Sequence, residues 1–268
     1  MEANLVSVIV PAYKQEKTIA RDLRRMKEVL DKLRYPTELI CVVDGNVDAT
    51  FRKASVFANK NPNVRVIGYD HNKGKGYAIR FGMAASKGDI VGFIDAGMDL
   101  NPNGLFMLLE HFEWYNADII VGSKRHPVSK VHYPWQRKVL SMGYQLLVLT
   151  LFGLKVRDTQ VGMKFFKREV LEKVLPRLLV KAFAFDVEIL AVANYLKYNR
   201  IYEAPVEIKL RFGGTSTVTS QKFIRTVLAM LTDTLAIFYR LKILNYYSDK
   251  NHRRWKFDPE LNFRVNVG

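Results

Sequence analysis

Two carboxylates, Asp95 and Asp99, stand four residues apart directly after the apolar run 90–94. At the end of a buried strand, this arrangement suits a divalent cation that is shared with substrate phosphates, because such cations prefer oxygen ligands. Asp99 also has a structural interpretation, since a carboxylate at this place can cap the helix expected after Pro102. Asp95 alone does not define a metal site.

A basic loop follows the third apolar run of the chain. The segment 72–76, Asn-Lys-Gly-Lys-Gly, opens a predicted helix and offers an anion two ammonium groups, backbone N–H groups and a helix N-terminus. It is not a Walker A sequence. A basic glycine turn without a ligand is the alternative interpretation.

The first two apolar runs also end in residues that suit a ligand. Pro11 and Tyr13 close the first run, and the tyrosine ring is placed where it can stack on a base. Asp44 and Gly45 close the second run and combine a carboxylate with a glycine for the following turn. Asp48, taken alone, is more typical of a helix N-cap.

The elements that position these residues alternate along the first part of the chain. We predict strands at 5–10, 38–43, 64–69, 90–94 and 119–122, with helices at about 16–33, 49–59, 76–86 and 103–115 between them. This order is typical of an α/β fold with a parallel sheet covered on both faces. Ligands of such sheets bind beyond the carboxyl ends of the strands, where the residues named above lie.

The later part of the chain has a different pattern. Residues 139–154 carry no charge, but 16 residues is short for a membrane span, which needs about 20. We therefore expect either an interfacial helix near 134–154 or an ordinary buried helix. The stretch 223–247 is predicted to be a second amphipathic helix, and the basic tail after it is expected to be solvated.

Composition narrows the classes of function. The chain has 268 residues, 49% of them apolar, with 42 Lys and Arg against 26 Asp and Glu. Intrinsic disorder is excluded, and the net charge of +16 favours nucleic acid, an anionic membrane or phosphorylated small molecules as partners. We do not expect nucleic acid, because the basic residues are scattered and form no known motif. Cys41 is the lone cysteine, so a reducing compartment is expected, and the N-terminus shows no targeting pattern.

In this order and spacing, these segments resemble the family 2 glycosyltransferases of the GT-A fold, which use nucleotide-activated sugars. The resemblance covers residues 5 to about 217. Within the family, the chain is most similar to enzymes that load a hexose onto polyprenyl or dolichyl phosphate, and the Asp-Thr-Gln-x-Gly-x-Lys stretch is more similar to the dolichyl-phosphate glucose branch than to the mannose branch. Further segments that carry the resemblance are 122–125, 157–164, 185–188 and 211–216.

The resemblance implies a nucleotide-sugar site, UDP-glucose or GDP-mannose being the expected donor, and a bound Mg²⁺ or Mn²⁺. The metal is expected at Asp95. The second acid of the family's Asp-x-Asp motif is replaced by Gly97, so ligation by Asp99, weaker ligation and ligation through water all stay open. The implied donor-binding residues are Pro11, Tyr13, Glu16, Asp44, Gly45, Lys73, Asp95, Gln160 and Ser216.

The resemblance further implies an inverting transfer of glucose or mannose at the cytoplasmic face of a membrane. Arg211 is expected to assist the leaving diphosphate from a loop that also carries Ser216. Arg125 and Arg137 are expected to hold the phosphate of a polyprenyl or dolichyl acceptor, although Arg137 also suits a helix-end charge without substrate contact.

The alternative acceptor is a sugar hydroxyl of a lipid-linked glycan, with Asp186 as the base. A capping or helix-dipole role for one of Asp186 and Glu188, at the start of a predicted helix, is the structural alternative. A third hypothesis is a non-catalytic nucleotide-sugar-binding membrane module. We expect a catalytic domain over 1–217, followed by an amphipathic membrane-associating helix and a basic tail over 218–268, and the oligomeric state stays open.

Overall fold

The computed structural model describes residues 5–129, 135–208, 221–249 and 255–266, with the side chains of 135–138 and 221–224 left out. The strands within these ranges are β1 Val6–Ala12, β2 Thr37–Asp44, β3 Val64–Tyr69, β4 Ile90–Ile94, β5 Ile119–Ser123, β6 Met163–Lys167, β7 Ile201–Pro205, β8 Trp255–Asp258 and β9 Phe263–Asn266. The α-helices there are α1 Ile19–Leu30, α2 Thr50–Ala58, α3 Lys75–Ala85, α4 Gly104–Trp114, α5 Trp135–Phe152, α6 Arg168–Val174, α7 Phe185–Tyr195 and α8 Gln221–Phe238. The predicted elements of the first part of the chain are thus confirmed to within a few residues.

The described strands form a seven-stranded sheet in the order β3-β2-β1-β4-β6-β5-β7. Strand β6 runs antiparallel to both of its neighbours, while the other pairings in this sheet are parallel. The predicted α/β class with a mostly parallel sheet is therefore confirmed. We did not predict β6, because Lys164 interrupts its apolar run and lysine is almost never fully buried unless it is paired.

Helices cover both faces of the sheet. On one face, α1, α2 and α4 pack on the sheet, and α1 buries Ile19, Leu23, Met26 and Leu30 at helical spacing. Helices α3, α6 and α7 cover the other face. Each such apolar side chain stabilises the fold by about 1.5–3 kcal/mol when it is fully buried.

Helices α5 and α8 lie side by side beyond α7. The hydroxyl groups of Tyr144 in α5 and Thr234 in α8 are 2.8 Å apart, and burial raises the pKa of Tyr144 to about 12. Helix α5 matches the predicted helix near 134–154. Helix α8 ends at Phe238, where a π-helical turn, Tyr239–Ile243, replaces the rest of the predicted helix. No described helix has both the length and the apolar character needed to cross a bilayer.

The end of the chain packs on the domain. Strands β8 and β9 form an antiparallel hairpin whose Leu261 and Asn266 are buried. The hydroxyl group of Tyr246 donates a hydrogen bond to the carbonyl oxygen of Asn266 at 3.1 Å. The expectation of a solvated tail is therefore wrong for Leu261, Phe263 and Asn266, which pack on the domain, whereas Trp255 and Phe257 in β8 stay exposed.

Substitution of Gly92 by Ala should destabilise the fold. Its Cβ atom would lie 2.6 Å from the carbonyl oxygen of Lys164 and nearer still to the ring of Phe165 across the β4–β6 pairing. We expect a loss of about 1–3 kcal/mol in the free energy of unfolding, measured by urea denaturation. Gly143→Ala in α5 is the control, because no atom lies within 4 Å of its added carbon and helix propensity then favours alanine. Equal stability of Gly92→Ala and the original chain would contradict this packing.

Candidate functional site

The carboxyl ends of the parallel strands bring the predicted groups to one edge of the sheet. Asp44 ends β2, the basic loop follows β3, and Asp95 follows β4. Because β6 runs the other way, the segment that precedes it arrives at the same edge. This segment, 158–162, contributes the glycine that contacts Asp95.

Asp95 lies at the centre of this edge. The ammonium group of Lys75 lies 2.8 and 2.9 Å from the two carboxylate oxygens of Asp95. The backbone N–H of Asp95 donates a hydrogen bond to the carbonyl oxygen of Gly162 at 2.9 Å. A Cβ atom on residue 162 would overlap the Asp95 carboxylate. Only glycine therefore leaves room for the carboxylate in this position.

A chain of alternating charges continues from Lys75 into the core. Lys75 lies 3.6 Å from Asp186, whose other oxygen accepts a hydrogen bond from the fully buried ammonium group of Lys164. Lys164 also donates to the carbonyl oxygen of Val161 at 2.7 Å. Burial lowers the pKa of Lys164, and the carboxylate of Asp186 opposes that shift.

The pKa of Lys75 is raised, whereas that of Lys164 is lowered. Burial by itself lowers the pKa of Lys75, but the carboxylates of Asp186 and Asp95 outweigh burial and raise it. Lys75 therefore stays protonated through neutral pH and neutralises both acids. We had noted it only as one of the two ammonium groups of the basic loop and had expected Lys73 to be the functional one.

Neither acid near the start of α7 caps this helix. Asp186 faces the two lysines, and Glu188 accepts hydrogen bonds from the backbone N–H groups of Leu179 and Val180 and from the Tyr247 hydroxyl. Burial raises the pKa of Glu188. Neither side chain therefore caps α7, but both acids lie in its first turn, where the helix dipole favours negative charge. Glu188 also holds the segment that leads into α7.

Asp44 organises the basic loop. Its carboxylate accepts hydrogen bonds from the backbone N–H of Lys73 at 2.7 Å, the Asn72 side chain at 2.8 Å and the Tyr69 hydroxyl at 2.9 Å. Gly45 follows with φ at 90°, and a side chain on it would meet the Asn72 backbone nitrogen at 2.7 Å. In this structure, Asp44 and Gly45 thus shape the loop on which the predicted donor site depends.

The end of β1 is tied to the loop after β2. The Glu16 carboxylate accepts a hydrogen bond from the Ala49 N–H at 3.2 Å, and Asp48 accepts one from the Thr50 N–H at 2.9 Å. Tyr13 leaves its ring 41% exposed beside this junction, after Pro11 in β1. An exposed ring at this position suits stacking on a base, and the role of Tyr13 in donor binding stays a prediction.

Lys73 points away from Asp95. Its ammonium group lies 2.6 Å from both carboxylate oxygens of Glu260 and packs over the rings of Tyr69 and Tyr77. The sequence could not show this direction, because Lys73 and Lys75 occupy the same short loop. One feature that favours Lys75 as the lysine facing Asp95 is its place at the start of α3, whose N-terminus faces the sheet edge.

A cavity of about 720 Å³ opens between α5 and α8 and reaches the charged groups. Its polar end includes Lys75, Lys124, Arg157, Asp158 and Asp186. Its walls are largely apolar and include Val139, Leu140, Leu147, Val227, Met230 and Leu231. The cavity therefore suits a ligand with an anionic head and an apolar chain.

Gln160 and Asp186 are predicted residues that line this cavity, and Arg125 contacts two residues of its lining. The side-chain amide of Gln160 lies 2.7 Å from the Met230 sulfur. Arg125 contacts Gln145 in α5 and the carbonyl oxygen of Arg157. Lys124 and Arg157, whose individual roles the sequence did not indicate, join Lys75 as cations that line the cavity.

Three predicted residues lie outside the description. The side chain of Arg137 is not described, and Arg211 and Ser216 belong to the segment 209–220 that lies outside the described residues. Their expected roles stay predictions.

Asp95 suits a divalent cation that completes its shell with phosphate oxygens, since Mg²⁺ is commonly bound by one or two carboxylates together with substrate phosphates. No cluster of three His, Cys, Asp or Glu side chains arranged for a metal occurs in the described ranges. Gly97 has φ at 99°, and open space surrounds the position of its missing side chain. Asp99 is exposed. Asp95, rather than a closed set of protein ligands, is therefore the group that fits a metal here.

Comparison with protein families and known sequences agrees with this geometry. Residues 7–175 match the model of the family described as Glycosyl transferase family 2. The dolichyl-phosphate beta-glucosyltransferase ALG5D of Trichomonas vaginalis is 30% identical over 252 residues, which cover 89% of this chain and 75% of that protein. The human dolichyl-phosphate beta-glucosyltransferase is 33% identical over 72% of this chain, which spans 64% of the human protein.

Solved structures share the fold. Glucosyl-3-phosphoglycerate synthase of Mycobacterium tuberculosis, solved with Mn²⁺, UDP and phosphoglyceric acid, superposes with a TM-score of 0.64 at 19% identity and covers 98% of this chain and 86% of its own. Mannosyl-3-phosphoglycerate synthase of Rubrobacter xylanophilus gives a TM-score of 0.66 at 14% identity, with 98% and 83% covered. These neighbours are GT-A glycosyltransferases, so the predicted GT-A fold is confirmed.

The Lys164–Asp186 pair should show strong energetic coupling in a double-mutant cycle. Lys164→Met leaves a buried carboxylate short of a partner, and we expect it to cost about 3–5 kcal/mol in the free energy of unfolding. Asp186→Leu should cost a similar amount, whereas the double variant should recover most of the loss.

The exposed pair Lys27 and Asp31 on α1 provides the control for this cycle. Its coupling should stay below about 1 kcal/mol in the same urea titrations. Additive losses at Lys164 and Asp186 would show that the two side chains do not depend on each other.

Proposed function

The chain belongs to glycosyltransferase family 2, and we propose that it transfers glucose from UDP-glucose to the phosphate of a polyprenyl or dolichyl chain. The observation that carries this proposal is the cavity between α5 and α8, which joins a charged end at Lys75 and Asp186 to apolar walls. The names of the similar proteins from Trichomonas vaginalis and human support glucose and dolichyl phosphate.

The acceptor phosphate fits the charged end of the cavity. Lys124 and Arg157 line this end beside Lys75, and ammonium and guanidinium groups bind phosphate oxygens strongly. An isoprenoid chain attached to that phosphate would lie against Leu140, Leu147 and the facing side chains of α8. A soluble sugar acceptor would leave these apolar walls in water, which is unfavourable.

The state of Asp186 favours a phosphate acceptor over a hydroxyl acceptor. A hydroxyl group must lose its proton to a base as it attacks, whereas a phosphate is already ionised near pH 7. Both oxygens of Asp186 face lysines, and its residue is 3% exposed. Because each oxygen of Asp186 already faces an ammonium group, we assign Asp186 an electrostatic role.

The donor fits the sheet edge. The exposed ring of Tyr13 would stack on uracil, and the diphosphate would lie near Lys75 and Asp95. When bound at Asp95, a divalent cation would act as a Lewis acid for the leaving diphosphate. The mycobacterial neighbour was solved with Mn²⁺ and UDP, which supports this choice of cofactor and nucleotide. Lys75, positioned by Asp186, would add positive charge at the same place.

We further propose that α5 and α8 rest on the cytoplasmic face of a membrane. Their described surface exposes large apolar side chains, among them Leu146 at 64%, Leu228 at 57% and Ile243 at 61% in the turn after α8. Lys242 lies exposed in that turn and would meet anionic headgroups, whereas Arg240 faces Tyr247 and Glu188. An acceptor in the bilayer would then enter the cavity from its apolar side.

Transfer of radiolabel tests the proposed reaction. We expect UDP-glucose to label polyprenyl phosphate in detergent with Mn²⁺, and we expect EDTA to reduce the label at least tenfold. The matched control is the same polyprenol without its phosphate, which should accept no label.

Each other outcome of this assay overturns part of the proposal. Label from GDP-mannose alone would make the donor assignment wrong. Label in an added glycoside would favour the hydroxyl acceptor, and donor binding without any transfer would favour a non-catalytic binding module.

Neutral substitutions at the cavity's charged end should weaken acceptor binding selectively. We expect Lys124→Gln and Arg157→Gln each to raise KM for polyprenyl phosphate by about tenfold, since a hydrogen bond to a charged group contributes about 1.5–3 kcal/mol. KM for the donor should change less than twofold. Lys155→Gln is the control, because this neighbouring lysine is exposed and does not line the cavity. A rise in donor KM with unchanged acceptor KM would place the acceptor phosphate elsewhere.

A further inference from the structure

The turn of the C-terminal hairpin places a carboxylate on the basic loop. Glu260, between β8 and β9, has both oxygens 2.6 Å from the Lys73 ammonium group and accepts a hydrogen bond from the Tyr77 hydroxyl. These two contacts lower the pKa of Glu260. The Lys73 ammonium group and the Tyr77 hydroxyl group are both donors that could bind an anion. In this structure the Glu260 carboxylate is the anion that they bind.

Further positive charge lies under the same hairpin. Arg80 stands one turn of α3 beyond Tyr77, and its Nε and Nη2 atoms are buried without a hydrogen-bond partner among the described residues. Its guanidinium group lies 5.5 Å from the ring centre of Phe263 in β9. The Lys181 ammonium group lies 5.8 Å from the Tyr77 ring on the other side. Of the cations Lys73, Arg80 and Lys181, only Lys73 forms an ion pair with Glu260 in the described part of the chain.

The ion pair of Glu260 is exchangeable. The side chains of Glu260 and Lys73 are 49% and 28% exposed, and such exposed pairs contribute at most about 1 kcal/mol. A phosphate group carries more negative charge and more acceptor oxygens than one carboxylate. Phosphate is therefore a strong competitor for Lys73. The unpaired N–H groups of Arg80 lie one turn of α3 beyond Tyr77, where the carboxylates of Glu188 and Asp258 are also near.

Lys73 also connects this junction to the candidate donor site. Its backbone N–H is held by Asp44, and Lys75, two residues on, pairs with Asp95. An anion that binds on this loop would therefore compete with Glu260 for the Lys73 ammonium group.

We propose that Lys73, Tyr77 and Arg80 form a phosphate-binding site at the α3–hairpin junction, and that phosphate displaces the Glu260 carboxylate and loosens the hairpin. The ligand class is a phosphate or diphosphate group. The proposal rests on the proposed function only if the bound group is the diphosphate of the nucleotide-sugar donor. Free pyrophosphate offers the same phosphate chemistry without that dependence.

Binding of pyrophosphate and of UDP, measured by calorimetry on the full chain, tests this exchange. We expect Glu260→Gln to tighten pyrophosphate binding by up to about fivefold, the change that corresponds to an exposed ion pair. Lys73→Gln should weaken it at least as much. Glu113→Gln is the matched control, because this exposed acid pairs with Arg34 on the opposite helical layer and should change nothing.

Hydrogen exchange of residues 255–266 gives a second readout. Pyrophosphate should speed exchange of the hairpin in the original chain and have no such effect in Lys73→Gln. If UDP binds and speeds hairpin exchange but pyrophosphate does neither, the ligand is the donor diphosphate. If UDP and pyrophosphate each bind and speed hairpin exchange, the site also accepts free phosphate. Unchanged affinity in Glu260→Gln together with unchanged hairpin exchange would overturn the proposal.

The two proposals fail separately. Normal sugar transfer without hairpin release would leave the proposed function intact and refute the exchange. Hairpin release without sugar transfer would refute the function and leave the phosphate site standing.

Discussion

The buried ion pair between Lys164 and Asp186 is the interaction on which the site depends. Lys164 lies in β6, the antiparallel strand inside an otherwise parallel sheet, and its ammonium group is fully buried. An isolated ammonium group in that position would be strongly destabilising, so the fold requires the carboxylate beside it. The pair thereby anchors the first turn of α7 to the sheet and places negative charge beneath the candidate site.

Charge then alternates outward from this pair through Lys75 to Asp95. Each group has a neighbour of opposite sign, which allows four ionised side chains to share a small and partly buried volume. Asp95 stands at the outer end, where phosphate oxygens or a cation can reach it. Gly162 completes the arrangement, because any side chain there would displace the Asp95 carboxylate.

Two late segments of the chain approach the basic loop from different sides. Helices α5 and α8 bring the apolar cavity to Lys75, and the C-terminal hairpin brings Glu260 to Lys73. The two lysines are only two residues apart, and Asp44 holds the loop between them. One short loop therefore connects the candidate donor site, the cavity between α5 and α8, and the hairpin.

The sequence by itself determined the first five strands and the four helices among them, because apolar periodicity is a local property that these elements follow. It also located Asp44 and Asp95 at one sheet edge, since parallel strands end together. Only the tertiary structure decided that Lys75 rather than Lys73 pairs with Asp95, that Lys164 belongs to a central strand, and that the tail covers α3. These outcomes depend on partners far apart in sequence, such as Asp186 for Lys164 and Glu260 for Lys73, and no local pattern records which buried charges will meet.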